Sequence, residues 1–137
     1  MHRRLGIAVF VAVVAVIAAS CGGVVDPSKN QIETFTGTAM TASANIGIHF
    51  VNIAKSGELS ITVTSLTPSV PASTYFAVGI GQAVNGQCAS ALQVNQFATV
   101  GIAAINGPIT PGTYCAFIFD EGLFTVDEAY EMKVSHP

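Results

Sequence analysis

Leu59-Ser60-Ile61-Thr62-Val63-Thr64 alternates apolar and hydroxylated side chains without a break. Successive side chains of a strand point to opposite faces, so Leu59, Ile61 and Val63 make one apolar face and the hydroxyls the other. β-Branched residues suit such a pleated, half-buried surface. The stretch therefore reads as a strand laid on a core by one side, preceded by the turn Lys55-Ser56-Gly57 and ended by Pro68 and Pro71.

The same grammar extends in both directions. Residues 32–40, with a bend at Gly37, and residues 46–53 read as strands before it. Residues 75–80 follow, with Phe76, Val78 and Ile80 on one face. Residues 81–96 read as a longer connection that holds Asn85-Gly86 and Cys88. Strands are expected around 97–105, 113–119 and 129–134, with Asn106-Gly107 and Pro111-Gly112 as turns and Tyr130, Met132 and Val134 facing inward. Seven to eight short strands at fairly regular spacing, with no amphipathic helical pattern, predict an all-β chain. The expected architecture is a single antiparallel β-sandwich, jelly-roll-like in its connections.

The N-terminus has a different character. His2, Arg3 and Arg4 precede residues 5–19, all apolar or glycine, and the run closes on Ile17-Ala18-Ala19-Ser20-Cys21. This matches the core of a signal peptide in length and falls short of the about 20 apolar residues that span a bilayer. The small residues before a cysteine resemble the lipobox of bacterial lipoproteins. That resemblance implies cleavage before Cys21, a diacylglyceryl group with palmitate-type chains on its sulfur, and a membrane-anchored place in the cell envelope facing the periplasm or exterior. Gly22 stands where an Asp retains such proteins at the inner membrane of diderm bacteria, which favours the outer membrane there. The rival readings are an uncleaved membrane helix, or ordinary secretion with Cys21 a free thiol. The domain plan is a signal peptide at 1–20, the lipidated cysteine and a flexible tether at 21–31, and the sandwich at 32–137.

Beyond the signal segment, Lys29, Lys55 and Lys133 stand against eight carboxylates, a net charge of −5. Nucleic-acid binding needs clustered Lys and Arg, so that class is excluded. A polybasic membrane contact is excluded on the same ground, which leaves the lipid on Cys21 as the membrane attachment. Three cysteines leave one over if two pair. With Cys21 lipidated, Cys88 and Cys115 remain, and an oxidising compartment favours a disulfide between them. The bond would close a loop of about 28 residues. A reactive or metal-binding pair is the alternative, but no Cys-x-x-Cys is present.

Phe35-x-Gly37, Gly57-x-Leu59-x-Ile61-x-Val63, Pro111-Gly112-Thr113-Tyr114 and Tyr130-x-Met132-x-Val134 occur in that order. Together they resemble the bacterial pre-peptidase C-terminal-type β-sandwich over residues 32–137. The resemblance implies that Leu123 tucks under the sandwich edge. One departure bears on function: that family often has an Asp-rich middle strand, where this chain reads Thr74-Tyr75-Phe76-Ala77-Val78-Gly79-Ile80.

Candidate chemistry is sparse. Asp120, Glu121, Asp127 and Glu128 are the weak metal candidates, as hard oxygen ligands for calcium, but lack the Asp-x-Asp-x-Asp-Gly pattern. A calcium or carbohydrate module would use the connections at 81–96 and 120–128. His49 and His136 are expected at exposed or core-edge places. No Gly-x-Ser-x-Gly and no Gly-x-x-x-x-Gly-Lys occurs. The expectation is a non-catalytic envelope module without a cofactor, whose partner is an unspecified protein or surface polymer.

Overall fold

The structure, a computed structural model, describes residues 26–39 and 47–137. The signal segment, Cys21 and most of the tether lie outside the described residues. A single 3-10 turn, Pro27–Lys29, leads in, with the Asp26 carboxylate accepting the Ser28 N–H. Asn30 then ties this entry to the domain, its Nδ2 donating to the Glu58 carbonyl at 2.8 Å and to Ser135 Oγ at 3.1 Å.

The described residues form strands β1 (Gln31–Ala39), β2 (Gly47–Ile53), β3 (Gly57–Thr67), β4 (Phe76–Val84), β5 (Gln87–Ala98), β6 (Ala103–Ile109), β7 (Gly112–Phe119) and β8 (Glu128–His136). They pair antiparallel in two sheets of four, ordered β1-β8-β3-β6 and β2-β7-β4-β5. Every connection except β4–β5 passes from one sheet to the other, so the architecture is the expected antiparallel sandwich with jelly-roll-like wiring.

Alternation sets the core. Leu59, Ile61 and Val63 of β3 and Tyr130, Met132 and Val134 of β8 are buried and face Val51, Ile53, Val78, Ile80, Ala116 and Ile118 of the other sheet. β4 is buried on both sides from Phe76 to Gly81. Its inner side meets the core. On its outer side the Phe117 ring lies over Gly79, and the Cys88 and Cys115 sulfurs lie over Gly81, where a Cβ would crowd them. At the start of β7, Tyr114 Oη donates to the Thr110 carbonyl at 2.9 Å across the Pro111-Gly112 turn. This is the corner that tyrosines make in many β-sandwiches.

Three expectations along the chain are corrected. Residues 81–96 are not a loose connection: β4 runs to Val84, β5 begins at Gln87, and Asn85 (φ 53°) and Gly86 (φ 74°) make a two-residue hairpin turn. Both positive φ values are what a type I′ turn requires, and Asn-Gly supplies them. The polar, Ala- and Ser-rich β5 hides its strand character because most of its residues are exposed on either face. The strand expected at 97–105 is instead the end of β5, a turn and the start of β6, with Gly101 at φ 81°. Asn106-Gly107 is no turn; it lies inside β6, opposite Ser60 and Leu59.

Cys88 and Cys115 are joined by a disulfide, with 5.7 Å between their Cα atoms. It ties β5 to β7 across β4 on the outer side of the sheet. The chain-entropy model gives a loop of this size roughly 3.6 kcal/mol of stabilisation. Replacing both cysteines by Ala should therefore lower the unfolding free energy by about that amount in urea titrations, and an unchanged midpoint would show that the staple contributes nothing.

Candidate functional site

The acidic stretch after β7 is organised around its own backbone. Asp120 is buried, and its Oδ1 accepts the N–H groups of Leu123 at 2.9 Å and Phe124 at 3.0 Å. Gly122, at φ 87°, lets the chain turn back over the carboxylate. Phe124 is then buried against Phe76, with ring centroids 6.2 Å apart. This corrects the expectation for Leu123, which is 42 % exposed while its neighbour fills the core.

Glu121 and Asp127 are exposed, whereas Glu128 is buried at the start of β8. Among the described residues no three His, Cys, Asp or Glu side chains come together as a metal-ligand group. Asp120, Glu121, Asp127 and Glu128 therefore do not assemble the calcium ligand set considered from the sequence. Locally, Asp120 Oδ1 is engaged by the N–H groups of Leu123 and Phe124. Burial pushes the Glu128 carboxyl above the usual carboxylate range, and its Oε2 has no hydrogen-bond partner among the described residues.

A second polar cluster lies where the edge strands β1 and β2 face each other. His49 of β2 is stacked on Phe35 of β1, centroids 4.7 Å apart, and its Nε2 is 2.7 Å from Tyr130 Oη of β8. Gly37 on β1 and Gly47 on β2 flank the end of the Tyr130 ring, and a Cβ on either would collide with it. The two glycines are thus the space in which a tyrosine from one sheet reaches a histidine from the other. Burial lowers the His49 pKa and raises that of Tyr130, so both stay neutral near pH 7. Further along the same edge, the fully buried His136 holds Nε2 2.8 Å from Glu33 Oε1. His136 is therefore inside the core edge and paired, not a free ligand.

Sequence reasoning missed both pairings. The available signal was that Glu33, Gly37, Gly47, His49 and His136 all occupy inward positions of their strands, where apolar residues are the rule. At the opposite edge, Leu59, Ile80, Leu92 and Ile109 line an apolar cleft of roughly 130 Å³. It is too small for a drug-sized ligand, whose pockets begin at about 300 Å³.

No family model matches the sequence, and no curated protein matches it closely. Solved structures match the fold. The pre-peptidase C-terminal domain of collagenase from Bacillus anthracis is similar at a TM-score of 0.51 and 16 % identity, over 74 % of this chain and 87 % of that one. The Yersinia pseudotuberculosis-derived mitogen is similar at a TM-score of 0.53 and 14 % identity, over 79 % of this chain and 87 % of its own. The chain is thus a β-sandwich domain similar to pre-peptidase C-terminal domains. At such identities the likeness is one of fold.

Two of the perturbed inward groups, His49 and Glu128, give opposite pH behaviour. His49 has a lowered folded pKa, so its contribution to stability is complete above the ordinary histidine value of about 6.5 and is lost as pH falls below it, where the unfolded chain binds the proton more readily. Thermal unfolding should therefore show the wild type losing more stability than His49→Gln between pH 7 and pH 5. Glu128, with a raised folded pKa, contributes fully below about pH 4.5 and loses that contribution as pH rises. Glu128→Gln should melt higher than wild type at pH 7, with the gap closing toward pH 4.

Proposed function

We propose that this chain is a lipid-anchored, non-catalytic β-sandwich module of the cell envelope, held by Cys21 and serving as a binding or structural domain. The observation that carries this reading is the cysteine arithmetic. Cys88 and Cys115 are bonded to each other, which leaves Cys21, at the end of the one long apolar run, as the remaining cysteine. A disulfide of this kind belongs to an oxidising compartment, in keeping with export by the N-terminal segment. Two or more acyl chains give stable attachment, where one alone is marginal.

The inward polar groups support the non-catalytic part of the reading. His49 is engaged with Tyr130, His136 with Glu33, and Asp120 with its own loop. The two histidine pairs join strands across the sandwich edge, and Asp120 closes its loop onto the core. The fold is that of a collagenase's pre-peptidase C-terminal domain, in keeping with a module of this kind.

The test is metabolic labelling of the full-length chain with an alkyne fatty acid in bacterial cells. Wild type should carry the label and fractionate with membranes, whereas Cys21→Ala should lose the label. Persistent labelling of Cys21→Ala would overturn the anchor.

A further inference from the structure

Sheet β2-β7-β4-β5 contains no Lys, Arg, Asp or Glu. The acidic excess of the domain lies elsewhere: Glu33, Glu58, Glu128 and Glu131 on the other sheet, and Asp120, Glu121 and Asp127 in the loop before β8. One whole layer of the sandwich is thus uncharged, although the chain carries a clear net negative charge.

The edges of the two sheets differ as well. A strand edge is a template for pairing with another chain unless a charge, a proline or a bulge spoils it. β5 shifts register at three points against β4. β6 contains Pro108, which lacks an N–H, and shifts register against β3. β1 carries Glu33. β2 has none of these devices. It runs from Gly47 to Ile53 without a register shift and, among the described residues, pairs with β7 alone. Its outward side chains Ile48 and Phe50 are 41 % and 45 % exposed.

We propose that β2 is a docking edge for a second copy of this chain. The two β2 strands pair antiparallel about a two-fold axis at Phe50, and the two four-stranded sheets become one sheet of eight. Overlap of all seven residues sets Phe50 opposite Phe50 of the second copy and Ile48 opposite its Asn52. A two-fold contact must be self-complementary, and an uncharged edge satisfies this without placing like charges together. Two acidic chains otherwise repel, and the uncharged layer lets them meet with their carboxylates on the far sheet and loops. That charge distribution favours a second copy over a basic partner, for which β2 offers no carboxylate. The proposal does not depend on the lipid anchor.

The experiment co-expresses two differently tagged full-length chains in bacterial cells and measures how much of one is recovered with the other. Wild-type copies should co-purify. Phe50→Lys with itself should reduce recovery about fivefold, because like charges meet across the axis, and Phe50→Glu with itself should do the same. Phe50→Lys together with Phe50→Glu should restore recovery. Val94→Lys, on the exposed side of β5 at the opposite edge of the sheet, should leave it unchanged. A cooperative urea-unfolding transition with the wild-type slope in each purified variant establishes that it is folded. The proposal is overturned if wild-type copies do not co-purify, if the opposite-charge pair fails to restore recovery, or if Val94→Lys abolishes it, which would point to stacking of sheet faces.

Discussion

Burial of the two inner sheet faces against each other is the constraint on which the rest of this structure depends. Neither sheet has a second apolar face large enough to form a core alone. β3 and β8 bring Leu59, Ile61, Val63, Met132 and Val134 to the middle, and β4 and β7 bring Val78, Ile80, Ala116 and Ile118 against them. Each such side chain, fully buried, is worth about 1.5–3 kcal/mol, alanine less. Because all connections but the Asn85-Gly86 hairpin cross between sheets, neither layer can leave the other without undoing its strands.

The polar groups at the margins of this core follow from the same constraint. An inward position near a strand end or a sheet edge is partly or wholly cut off from water, and a polar side chain there must find a partner. His49 finds Tyr130, His136 finds Glu33, and Asp120 finds two backbone N–H groups. In each case the pairing joins segments far apart in sequence or closes a loop onto the core. Their role in the fold is architectural. The separation of charge between layers then distinguishes the surface: one sheet carries carboxylates, the other only uncharged polar and apolar side chains.

Much of this was legible before the structure. The alternation at 59–64 identified a half-buried strand, and Tyr130, Met132 and Val134 were correctly read as inward, because period-two burial leaves a direct trace in the residue order. The Cys88–Cys115 pairing followed from counting. Other features left no such trace. β5 is exposed along most of its length, so nothing in its composition had to alternate. Asn106-Gly107 has the chemistry of a turn, yet partners in β3 hold it extended. Leu123 and Phe124 are adjacent and similar in character, and only the turn around Asp120 decides that Phe124 goes inward.

The sequence by itself determined the fold class, the inner faces of the central strands, the disulfide partners and the uncharged composition of half the domain. These are properties of local order and residue type, and burial with period two makes them readable. Only the tertiary structure decided what Gly37 and Gly47 are for, which strands end as sheet edges, and that the acidic stretch folds around its own backbone. Those depend on which segments meet across the sandwich, and sheet order is set by packing between residues as far apart as Glu33 and His136.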